Sequence, residues 1–196
     1  MVTPFRIAAL LVLVLAAAVC AALYVTRPAP VHVSTAGPPS DLARLSLEAS
    51  AAPAPAVAYS DASGNRESIQ GLRGRYVLLN LWATWCAPCV DELPDLALLK
   101  AQLPGLAIVA VNVGHASVQE TSAFLVQHNA SALGVHIDAD AALIGAFKAQ
   151  GLPLTVLIDP RGREIARAIG PCNWGTPAAV AYLRKLIAPA QGTVNG

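Results

Sequence analysis

The stretch VLLNLWATWCAPCVDELPDL, from Val77 to Leu96, runs from an unbroken apolar segment into a pair of cysteines three positions apart and then into regularly spaced leucines. Tyr76 to Leu81 (YVLLNL) lacks the alternation of a half-solvated strand and reads as a strand covered on both faces, central in its sheet. From Val90 to Leu103, the residues Leu93, Leu96, Leu99 and Leu103 recur at helical spacing. Cys86 and Cys89 therefore fall where a buried strand gives way to a helix, at the helix N-terminus.

Outward from this unit the pattern repeats. Leu106 to Val113 (LAIVAVNV) is a second buried strand, and Ser117 with Glu120 forms a capping box that opens a helix to about His128. Val135 to Asp138 reads as a short strand, and Ala141 to Ala149 as a helix with Leu143, Ile144 and Phe147 inward. Leu154 to Ile158, the turn Asp159-Pro160-Arg161-Gly162 and Glu164 to Ile169 read as a hairpin. Thr176 or Pro177 opens a last helix to Ile187. Strands alternating with helices and closing on a hairpin predict an α/β fold, a mixed sheet with helices on both faces.

The chain has 196 residues, 55% hydrophobic and 13% charged, enough for one well-buried domain and an appendage. A net charge of +1 with scattered Lys and Arg advertises no phosphate-binding face, which argues against nucleic acid as a partner. Ile7 to Val25 is uncharged and, as a helix, spans roughly 28 Å, just enough for a hydrocarbon core of about 30 Å. Residues 1–27 are expected to be a transmembrane anchor, with a cleaved signal ending near Ala16-Ala17-Ala18 as the alternative. Residues 28–56, rich in Pro, Ala and Ser, read as a tether, 57–189 as the folded domain and 190–196 as a tail.

A structural zinc site needs four ligands, and no second CxxC or His pair accompanies Cys86 and Cys89, since His115, His128 and His136 are dispersed. As a staple, so short a loop removes little entropy from the unfolded chain. Redox chemistry remains. Unsatisfied N–H groups and the positive dipole end of a helix favour a thiolate at Cys86, lowering a thiol from about 8.5 toward neutrality or below. Cys86 is then the nucleophile that forms a mixed disulfide, and the deeper Cys89 resolves it. Pro88 fixes φ in the first turn, where its missing N–H costs nothing. Trp85 either shelters the site or simply packs.

WCAPC followed by Val90-Asp91-Glu92-Leu93-Pro94, the preceding LNLWATWC and the later Gly151-Leu152-Pro153 with LTVLIDPRG together resemble the thioredoxin-fold TlpA/ResA/DsbE family. Those proteins are membrane-tethered extracytoplasmic thiol–disulfide oxidoreductases, and the likeness runs from about Val57 to Ile187. It implies a thioredoxin-like fold with an αβ insertion between Ala116 and Phe147. It also implies a cis Pro153 against the cysteines and a backbone contact from Leu152 to an extended substrate, so that Trp85, Pro88, Leu152 and Pro153 make the substrate-binding set. Where cytosolic thioredoxins hold a buried Asp, this chain has Asn80, which cannot titrate. The resemblance gives that role to Glu92 as general base, whereas the residue alone reads as a solvated first-turn Glu. Asp91 and Asp95 read as surface charges.

Cys172 falls outside the family pattern. It is either a third thiol within sight of Cys86 or a small residue buried under a loop. Asn173-Trp174 either adds to a docking rim or caps the final helix, and Cys20 packs within the apolar segment.

The implied activity is reduction of client-protein disulfides, as in cytochrome c maturation or metal-site assembly. Electrons would come from a membrane reductase of the DsbD/CcdA type, and no cofactor or metal is needed beyond the Cys86–Cys89 couple. The expected location is the inner membrane with the catalytic domain in the periplasm or otherwise outside the cytoplasmic membrane, or a soluble periplasmic form after cleavage. Rival readings are a thiol peroxidase, suggested by Thr84 two residues before Cys86, and a non-catalytic chaperone or copper carrier of the same fold.

Overall fold

The computed structural model describes residues 37–188. Its centre is β4 (Tyr76–Trp82), in which Val77 to Trp82 are all buried. On one side lies β5 (Leu106–Asn112), parallel to it, and on the other β7 (Leu154–Ile158), antiparallel. β7 turns through Asp159–Gly162 into β8 (Arg163–Ile169), and β6 (His136–Ile137) pairs parallel with the end of β5. Three strands precede the centre in sequence: β1 (Leu45–Pro53), β2 (Ala58–Asp61) and β3 (Arg66–Ser68). The spatial order is β1-β8-β7-β4-β5-β6-β2-β3, a mixed sheet as expected.

The helices are α1 (Ala87–Gln102), α2 (Val118–Gln127), α3 (Ala142–Ala146) and α4 (Pro177–Ile187). The Ser117–Glu120 capping box opens α2 with both reciprocal bonds present. α3 is shorter than expected, but Leu143 and Phe147 are buried as predicted.

Side chains of a strand alternate between faces, and β4 uses both. Leu78 and Trp82 join a core with Leu93, Leu96 and Leu99 of α1 and Val180 and Leu183 of α4. Val77, Leu79 and Leu81 join a second core with Leu143 and Phe147. By the same period, Asn80 is forced onto the α1 face, so the single polar residue of the central strand points toward the helix that carries the cysteines.

The folded part starts earlier than near Val57. Ser40–Leu42 forms a 3-10 turn with Leu42 fully buried, and β1 extends the sheet along β8, so much of the stretch 28–56 is not a tether. An edge strand is held by its ladder hydrogen bonds on one side and needs few apolar residues, which is why LSLEASAAP carries so weak a signal. The apolar segment Ile7 to Val25 and the tail 190–196 lie outside the described residues. Among the described residues, no helix is long and apolar enough to cross a membrane.

Candidate active site

Cys86 is the N-cap of α1, its carbonyl accepting from the N–H groups of Cys89 at 2.9 Å and Val90 at 3.1 Å. Pro88 sits in the first turn, where no intrahelical donor is lost. Cys86 and Cys89 form a disulfide with Cα atoms 5.3 Å apart. Cys86 is 7% exposed and Cys89 1%, so the two sulfurs are an outer and an inner one.

The outer cysteine borders an open groove of about 500 Å³ whose lining includes Trp85, Val113, His115, Ile144 and Leu152. Trp85 is 71% exposed, which rules out simple packing. The Leu152–Pro153 peptide is cis, and Leu152 reaches the same groove as Cys86. His115, weighed from sequence only as a dispersed histidine, has φ of 63° and its Nδ1 2.9 Å from the Ala139 carbonyl. Its position at the end of β5, beside the strand that delivers the cysteines, was the available signal. Gly114 packs so close that a Cβ there would lie 2.7 Å from the Cβ of Ala83 and 3.1 Å from Nε1 of Trp85.

Glu92 follows Cys89 by one helical turn and is only 3% exposed, so the solvated first-turn reading is overturned. Its Oε1 accepts from the backbone N–H of Cys172 at 2.6 Å and from Trp174 Nε1 at 2.9 Å. Its Oε2 has a long contact with Asn80 Nδ2 at 3.5 Å, while that amide donates a better bond to Thr155 Oγ1 at 2.9 Å. Burial pushes the Glu92 carboxyl up to about 7, outweighing these donors, each of which favours the ionised form. The amide at position 80 thus faces a carboxyl brought in by α1.

Cys172 is free and buried, and burial, reinforced by the nearby Glu92, pushes its thiol up to about 11. It is a small buried residue whose backbone serves the site. Trp174 is neither rim nor cap: it is fully buried, and Thr176 caps α4 by accepting from the Ala179 N–H. Asp91 is exposed as expected, whereas Asp95 is half-buried against Gly175. The convergence of Cys172 and Trp174 on Glu92 is not legible in the sequence, where Cys172 stands outside the family pattern and Trp174 reads as rim or cap.

A thioredoxin-like α/β sheet with a cysteine pair at the head of the helix after its central strand defines a dithiol protein of the thioredoxin fold. The model of the AhpC/TSA family matches residues 51–183, and the chain belongs to that family. Similar proteins include the thiol-disulfide oxidoreductase ResA of Bacillus subtilis, 35% identical over 60% of this chain. The match spans 65% of that relative, just under two thirds of its length. ResA of Bacillus cereus is 31% identical over 60% of this chain and 68% of its own. A solved Chlorobium tepidum structure, assigned as the thiol:disulfide interchange protein DsbE, is 27% identical with a TM-score of 0.59, covering 72% of this chain and 96% of that one.

Proposed function

We propose that this chain is an extracytoplasmic thiol–disulfide oxidoreductase that reduces disulfides of client proteins. The observation that carries the reading is the Cys86–Cys89 disulfide at the head of α1, with the outer sulfur opening onto a groove and the inner one buried. In the reduced protein the Cys86 thiolate, favoured by the N–H groups of the first turn, attacks a client disulfide. One client sulfur leaves as a thiolate and takes a proton, and a mixed disulfide links Cys86 to the client. Cys89 loses its proton to Glu92 and attacks Cys86. The Cys86–Cys89 disulfide forms, the second client sulfur departs, and the client has gained two electrons and two protons. The client chain would lie against Trp85 and Leu152, which line the groove, with Pro88 exposed in the first turn of α1 and Pro153 buried next to Leu152.

No organic cofactor or metal enters these steps. The motif resemblance to the TlpA/ResA/DsbE family supports the reductive direction, with electrons returned by a membrane reductase of the DsbD/CcdA type and clients in cytochrome c maturation or metal-site assembly. The apolar segment Ile7 to Val25 supports anchoring in the inner membrane with the folded domain outside the cytoplasmic membrane.

The test is trapping. With Cys89→Ala expressed in the native envelope, client proteins should remain disulfide-linked to Cys86 and be released by a reductant. Capture of nothing, together with normal cytochrome maturation in a Cys86→Ala strain, would remove the proposal. Stopped-flow mixing with peroxide separates the peroxidase reading, which requires oxidation of Cys86 faster by peroxide than by a disulfide.

A further inference from the structure

We propose that Trp174 is a positioning residue for the exchange reaction: its indole N–H and the Cys172 backbone N–H hold Glu92 by Oε1, leaving Oε2 as the oxygen that takes up and gives up the proton. The proposal rests on the function read above, and two observations carry it.

The first is which oxygen is occupied. Oε1 receives donors at 2.6 and 2.9 Å, whereas Oε2, among the described residues, has only the 3.5 Å contact with Asn80. A hydrogen on Oε1 would point among two N–H groups, so the neutral acid carries it on Oε2. The second is that the indole bond is not a by-product of burial. Trp82 is equally buried, and among the described residues its Nε1 has no hydrogen-bond partner. Trp174 instead aims its donor at the buried carboxyl of Glu92.

The loop is itself anchored. The N–H of Asn173 donates to the Asp41 carbonyl at 2.9 Å, and Thr176 Oγ1 donates to Asp41 Oδ2 at 2.9 Å, so Trp174 is gripped on both sides. Other titratable or charged groups that act on Glu92 are Asp95 on its own helix and Cys172 in the loop, with Arg44 beyond it, while Cys89 precedes it by one helical turn. Asn80 and Thr155 of the sheet are neutral. The indole N–H favours the carboxylate, so its loss should make Glu92 harder to ionise.

The experiment removes that hydrogen alone. In the full-length chain, Trp174→Phe is compared with 3-benzothienylalanine placed at position 174, whose sulfur replaces the indole N–H at nearly unchanged shape. Glu92 is titrated by carbon-13 NMR in the oxidised protein, where Cys86 and Cys89 do not ionise. Its midpoint should rise by roughly one pH unit in both variants. The pH–rate profile for reduction of a cystine-containing peptide by the reduced protein should move the same way. If Trp174→Phe fails to fold, the benzothienyl chain carries the comparison. A midpoint unchanged within a few tenths of a unit, or a shifted midpoint with an unmoved rate profile, overturns the proposal. Should the wild-type chain reduce no disulfide at any pH while the midpoint still moves, the exchange reading fails and the hold of Trp174 on Glu92 stands.

Discussion

At the residue scale, Glu92 is balanced between burial, which favours its neutral form, and its N–H donors, which favour the charged one. That balance makes it a stability switch. Its folded-state value of about 7 lies above the 4.5 of an ordinary Glu, so its contribution to stability is fully present below about 4.5 and is lost as pH rises to about 7. The loss is on the order of 3 kcal/mol across that window. Urea unfolding of the oxidised protein at either end of it should show this decline in the wild type, and Glu92→Gln should flatten the part that distinguishes the two. Equal pH dependence in both proteins would mean that burial does not raise Glu92 above an ordinary Glu.

At the scale of elements, the head of α1 is gripped by its neighbours. Gly114, after β5, leaves no room for a side chain against Ala83 and Trp85. Gly114→Ala should cost about 1–3 kcal/mol by overpacking. By displacing Trp85 it should also slow exchange by roughly tenfold, read from melting and from peptide-disulfide reduction. The N-terminal edge matters similarly. A chain beginning at Val57 loses β1 together with the buried Leu42 and Leu45, and with them the Asp41 grip on the loop of Trp174. Burial of the leucines alone predicts a loss of about 3 kcal/mol or more in denaturant unfolding. A truncated chain as stable as the full one would show that β1, its ladder included, contributes nothing to stability.

For the whole molecule, the groove beside Cys86 sets what can approach. Among the described residues its lining has no Asp, Glu, Lys or Arg, and His115 is the titratable side chain there besides Cys86. Client encounter should therefore depend little on charge, and exchange rates with a neutral peptide disulfide should vary less than about threefold between dilute buffer and about 0.5 M salt. A steep fall with salt would move the docking surface away from this groove. The groove itself was only partly legible in the chain. Trp85 and Leu152 were visible through the resemblance, but His115 and Val113 reach it because β5 runs parallel to β4 and ends beside it.

The chain by itself determined the unit of buried strand, cysteine pair and helix, because apolar periodicity and first-turn chemistry act over some twenty neighbouring residues between Tyr76 and Leu96. It could place one sulfur at the helix head and the other a turn deeper, as found. Only the tertiary structure decided what meets Glu92, since the donors come from Cys172 and Trp174, 80 and 82 positions away, and no local pattern records a through-space hydrogen bond. The same holds for β1, whose alanine-rich residues become a strand because β8 offers an unpaired edge.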